Sequence, residues 1–129
     1  MSQENVETCR RALDAFMRRD NETALALYDP DVELHGEIDD RVYRGLDGVR
    51  EFFRDWLSTW ESFESEAEEW IDSGDTVIVI VHDRARGRHS GVEVDRRRAH
   101  VWTLRDGKLF RLRILPTKAA ALESVGLSE

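Results

Sequence analysis

The stretch Asp47-Gly48-Val49-Arg50-Glu51-Phe52-Phe53-Arg54-Asp55-Trp56-Leu57-Ser58-Thr59-Trp60 places Val49, Phe52, Phe53, Trp56, Leu57 and Trp60 at offsets of 0, 3, 4, 7, 8 and 11. That spacing lines one face of an α-helix, and the bulk of its residues demands a broad apolar surface to cover. Asp47 is its expected N-cap. Directly afterwards the period changes to two. Phe63–Ile71 alternates loosely, Thr76–Arg88 opens on the β-branched run Val77-Ile78-Val79-Ile80-Val81, and Val92–Leu104 and Lys108–Leu115 follow. The breaks between them are Ser73-Gly74-Asp75, Ser90-Gly91 and Asp106-Gly107, the last a strong two-residue hairpin signal. A continuous apolar run such as Val77–Val81 reads as a strand covered on both faces. A helix that gives way to a meander of about four strands predicts an α+β architecture.

Working outward, residues 3–19 carry Val6, Cys9, Leu13, Phe16 and Met17 at helical spacing, and a shorter helix is expected from a cap at Asn21 through Tyr28. Asp29-Pro30-Asp31 ends it, because the residue before a proline is pushed out of the helical region. Val32-Glu33-Leu34-His35 alternates as a short strand, Gly36 marks a bend, and an irregular polar stretch runs to Gly45. Pro116 stops the final strand, and Thr117 caps a last short helix through Leu122. Three helices over the concave face of a curved, mixed/antiparallel β-sheet make a cone, whose open end is a natural pocket. Residues 1–129 read as one domain of this kind.

The chain has 27 acidic and 19 basic residues, a formal net charge of −8. That balance speaks against nucleic acid, which wants a basic face. Acids cluster at Glu61–Asp72, whereas arginines gather at 84–98 and 105–113, so the charge reads as neighbouring strands of one sheet rather than as a signal about partners. The polar N-terminus lacks the pattern of a secretory signal, and no apolar run is long enough to span a bilayer. Cys9 is the only cysteine. A reduced, cytoplasmic setting with no membrane association is expected, and Cys9 on its apolar stripe reads as packing.

Four segments, in this order, resemble the SnoaL-like branch of the nuclear-transport-factor-two-like superfamily: Tyr28-Asp29-Pro30-Asp31-Val32-Glu33; Tyr43-Arg44-Gly45 with Gly48-Val49-Arg50-Glu51-Phe52-Phe53; Arg86–Gly91 leading to Ala99–Lys108; and Ala121–Leu127. The resemblance covers nearly the whole chain. It implies the cystatin-like α+β cone and a homodimer packed through the sheet's outer face, where Val101 and Thr103 are expected. The superfamily includes polyketide cyclases, ketosteroid isomerase, dehydratases and epoxide hydrolases, so fold does not fix function. Aligned with ketosteroid isomerase, the base position falls on Gly36, between His35 and Glu37. The tyrosine position falls on Ala12, and the aspartic-acid position falls on His100. Two of that enzyme's three roles are therefore empty or displaced.

The candidate catalytic residues are His100, Glu37 and His35. Period two puts His100, Trp102 and Leu104 on one strand face, the one the resemblance turns into the cone, and an imidazole suits acid–base work near neutral pH. The alternative is a wall histidine with no chemistry. Val32 and Leu34 should point inward, leaving His35 outward unless a bulge at Gly36 turns His35 or Glu37 toward the pocket mouth, and a solvated loop carboxylate is the favoured reading of Glu37. His82 and His89 read as structural or surface. Phe16, Leu34, Phe53, Trp56, Trp60, Trp102 and Leu112 are the candidate ligand-lining residues, with plain core packing as the other reading. No metal-ligand spacing occurs, so no metal and no cofactor is expected. Arg96-Arg97-Arg98 on a strand splits between two faces and is expected to meet acids across the sheet or across a dimer interface rather than nucleic acid. Two functions remain open. One is a cofactor-independent isomerase, cyclase or dehydratase acting on a small apolar carbonyl compound. The other is a noncatalytic ligand-binding or dimerisation module.

Overall fold

A computed structural model describes residues 2–36 and 41–127. The elements run α1 (Ser2–Met17), α2 (Asn21–Ala26), β1 (Tyr28–His35), β2 (Val42–Arg44), α3 (Gly45–Thr59), β3 (Trp60–Ser73), β4 (Thr76–Gly87), β5 (Glu93–Arg105), β6 (Lys108–Leu115) and α4 (Lys118–Ser124). The six strands form one sheet in the order β2-β1-β6-β5-β4-β3. β1 and β6 pair parallel and every other pair is antiparallel, so the sheet is mixed. The expected α+β architecture is the observed one.

Local chemistry explains several boundaries. α2 is capped by Asp20, not Asn21: the Thr23 backbone N–H donates to Asp20 Oδ1 at 3.2 Å, one residue earlier than expected. α3 begins at Gly45 with no side-chain cap, and Asp47 instead sits in its first turn, accepting from Arg50 Nη1 at 2.8 Å. The stretch before Gly45, read as irregular, holds the three-residue strand β2 paired to β1. β1 itself starts at Tyr28, ahead of Pro30. Asp106 and Gly107 both adopt positive φ, the geometry a type I′ hairpin needs. Thr117 caps α4 as expected, accepting from the Ala120 N–H at 3.0 Å.

Helices α1–α3 cover the concave face, where Cys9, Ala12, Val32, Leu34, Val49, Phe53, Val77, Val79, Val81, Trp102 and Leu112 form one buried cluster. A second cluster lies on the convex face, where α4 brings Ala121 and Leu122 onto Ile78, Ala99 and Val101. The run Val77–Val81 is thus covered on both sides. Val101, expected with Thr103 among charges on the outer face of a dimer, is 4% exposed beneath the chain's own last helix.

The remainder of the convex face carries charge. Arg97 donates in bidentate fashion to Glu68 at 2.7 and 3.2 Å. Arg84 meets Glu64, Arg86 meets Glu61, and His82 Nε2 shares a 2.5 Å hydrogen bond with Asp95. The cross-strand partners expected for the basic run are therefore present for Arg97. The registers Asp83↔Arg96 and Val81↔Arg98 put Arg96 and Arg98 on the other face. Near the β5–β6 turn, Arg105 donates from Nε and Nη2 to both oxygens of Asp29.

These contacts set a pH dependence. The hydrogen bond from Arg105 holds Asp29 below the usual carboxylate range, as that from Arg97 does for Glu68 and that with His82 for Asp95. Each folded value lies below the unfolded one, so the stabilisation is complete above the unfolded carboxylate range. It is lost as pH falls from about 4 through the folded values. Thermal melts should show a falling Tm below about pH 4. A Tm unchanged down to pH 2 would mean that these pairs contribute nothing.

Candidate functional site

β5 brings the chemistry to the concave face. His100, half-buried, is opposite Val79 on β4 and Ile114 on β6, and Trp102 follows it on the same face opposite Leu112. α1 crosses above them with Cys9, Ala12, Leu13 and Phe16, and α3 adds Phe52 and Phe53. Between the layers lies a cavity of about 60 Å³. Its lining residues are apolar apart from Cys9, Tyr28, Trp70, Trp102 and His100. A void of roughly 150 Å³ is what benzene occupies in an apolar core, so a ring-sized ligand requires the half-buried Leu13, Phe16 or Phe52 to yield.

Three of the wall side chains can ionise, namely Cys9, Tyr28 and His100. Desolvation pushes the Cys9 thiol up to about 12, so it stays protonated and is no nucleophile at neutral pH. Burial likewise pushes the Tyr28 phenol above its ordinary value, with the nearby Cys9 adding to the effect. An imidazole is the one side chain of the three whose ordinary range lies near neutrality. No carboxylate lines this cavity among the described residues.

The expected site residues distribute as follows. His100, Phe16, Leu34, Phe53, Trp102 and Leu112 line the same cavity. Trp56 does not. It lines a smaller void of about 30 Å³ on the far side of Phe16 and Phe53, bordered by Phe63. Trp60, at the start of β3, packs with Trp56 and Phe63 at ring separations of 6.0 and 6.3 Å. The indole Nε1 of both tryptophans is buried without a hydrogen-bond partner among the described residues. His35 shares its strand face with Glu33, which sits 3.3 Å from its Nε2 and also meets Arg44 and Arg111. Leu34, between them, points into the cavity, so His35 lies on the opposite side of the sheet. Glu37 lies outside the described residues. His82 is buried on the convex face, His89 is exposed in the β4–β5 turn, and Asp83 is 4% exposed with Oδ1 lacking a partner among the described residues.

Sequence reasoning missed Tyr28 as a cavity residue. No period-two count could have found it, because the register along β1 shifts between Tyr28 and Glu33 and leaves Pro30 exposed.

Comparison with known proteins adds to this geometry. The family model of the SnoaL-like domain matches residues 9–112. No curated protein matches the chain. Among solved structures, an NTF2-like protein of unknown function from Burkholderia pseudomallei is 24% identical over 98% of this chain and 99% of its own, with a TM-score of 0.81. TerC, co-crystallised with polyporic acid, is 27% identical over 93% of this chain and 96% of its own, with a TM-score of 0.78. A cystatin-fold protein from Novosphingobium aromaticivorans is 20% identical over 89% and 98%, with a TM-score of 0.75.

Proposed function

Because the chain belongs to the SnoaL-like domain family, a fold used for small-molecule binding and for cyclase- or isomerase-type chemistry, we propose that it binds a small apolar carbonyl compound and moves a proton on it through His100. The observation that carries this reading is the cavity wall, where the His100 imidazole joins a lining made mostly of apolar side chains. A neutral imidazole takes a proton from carbon next to a carbonyl and the imidazolium returns it further along the conjugated system. No cofactor is needed for that step, and the apolar wall excludes bulk water from the enolate. The likeness to TerC, whose structure was determined with polyporic acid, supports reading the cavity as a ligand site.

Cyclohex-3-enone is a suitable probe. Removal of its C2 proton and return of that proton at C4 gives the conjugated enone, followed by its ultraviolet absorbance. His100→Ala should lower the rate by about 10²–10⁴-fold with Tm retained. An unchanged rate would overturn the role of His100. Binding without turnover would favour a second reading, a noncatalytic binding module.

A homodimer through the sheet belongs to this reading too. With Val101 under α4, such a contact would rest on the charged lattice around Arg84, Arg86 and Arg97 rather than on an apolar patch.

A further inference from the structure

The cavity has a second polar end that the proton transfer leaves unused. Tyr28 is 7% exposed, with its ring edge-on to Trp102 at 6.0 Å and to Phe53 at 6.5 Å. Cys9 and Ala12, 1% and 3% exposed, close the same wall. Buried phenols ordinarily give their O–H to an acceptor. Among the described residues the Tyr28 hydroxyl has no hydrogen-bond partner.

Register shows where this group stands relative to His100. Along β6, Leu109 is opposite Tyr28, Leu112 is opposite Trp102 and Ile114 is opposite His100. Tyr28 and His100 therefore flank Trp102 from opposite sides, one at the closed end and the other at the half-buried end beside Trp70. Tyr28 is level with Leu109 and so with Leu104, four residues from His100 along β5 or about 13 Å of strand, so the two groups address different parts of any ligand.

We propose that Tyr28 is the specificity-determining donor of the cavity, its hydroxyl holding a neutral oxygen acceptor at the end of the ligand remote from His100. The assignment rests on the ligand reading above. Neutrality follows from the wall: no cationic side chain lines the closed end among the described residues, and an unpaired anion in an apolar cavity is costly. Because burial raises the phenol's proton affinity, the hydroxyl stays protonated and can only donate to such an oxygen or accept a donor in return.

Cyclopentanone and methylenecyclopentane differ only in an oxygen acceptor against a methylene group, and both are compact. Titrated into the wild-type protein and followed by ligand-observed NMR, the ketone should bind about fivefold more tightly than the alkene. Tyr28→Phe should erase that preference, while His100→Ala should keep it. Tyr28→Phe should also melt no lower than wild type, because the hydroxyl loses no protein partner. Equal binding of the two probes to wild type, a preference that survives Tyr28→Phe, or a Tyr28→Phe protein that melts several degrees lower would each overturn the assignment while leaving the ligand reading intact. Failure of both probes to bind would overturn the ligand reading and the assignment with it.

Discussion

Phe53→Ala should cost about 3–5 kcal/mol of folding stability, the range for deleting a large buried aromatic ring. The upper half of that range is expected because the site cannot collapse. Phe53 is 3% exposed and stands between two voids, the cavity beside His100 and the smaller one beside Trp56. Its neighbours Phe16, Tyr28 and Phe52, at ring separations of 5.3, 6.5 and 6.3 Å, are held by further aromatic contacts with Trp56, Trp102 and Tyr43. Removing the ring joins the voids instead of letting neighbours close in. A small domain has about 5–15 kcal/mol in total, so the variant should unfold at markedly lower urea. A loss below about 1 kcal/mol would show that the aromatic cluster repacks freely.

Gly48→Ala should destabilise by about 1–3 kcal/mol, the range for overpacking, although helix propensity alone predicts a gain. Alanine in a helix interior is favoured over glycine by roughly 1 kcal/mol. Here a Cβ on Gly48 would stand 2.8 Å from the carbonyl carbon of Tyr43, which is backbone and cannot rotate away. To make room, α3 must lift from β2, disturbing the hydrogen bond from the Tyr43 hydroxyl to Asp55 at 2.7 Å and the edge-on contact of Tyr43 with Phe52 at 5.3 Å. The clash outweighs the propensity. Chemical denaturation checks the sign, and a stabilised Gly48→Ala protein would show that the close approach is not enforced.

The sequence was most legible where a long periodic signal had one physical interpretation. The stripe from Val49 to Trp60 and the β-branched run from Val77 needed no tertiary information, and the α+β layout followed from their order. Face assignment along β5 was equally direct, since period two puts His100 with Trp102 and Arg97 away from Arg96 and Arg98. Legibility failed at short elements and at questions of which surface meets which. β2 is three residues long and carries no measurable period. Tyr28 sits at the junction of α2 and β1, on the far side of a register shift that breaks the period of two. Trp56 and Trp60 were correctly apolar-facing, yet a helical stripe does not say which of two neighbouring voids a ring will border. α4 was expected as a helix, but nothing in its own pattern says that it covers the convex face. That choice depends on Ile78, Ala99 and Val101 being apolar there.

β3, at the end of the strand order, leaves fourteen residues with one row of backbone donors and acceptors unpaired by any other strand. Such a border is a template on which a second copy could grow. In this chain it is written as Glu61, Glu64, Glu66, Glu68, Glu69 and Asp72, with its register broken between Ala67 and Glu69. Four of these acids, Glu61, Glu64, Glu68 and Glu69, are already held by Arg86, Arg84, Arg97 and Lys118. What blunts this border is its broken register together with charged side chains fixed in ion pairs, which a second strand would have to disturb to pair along it.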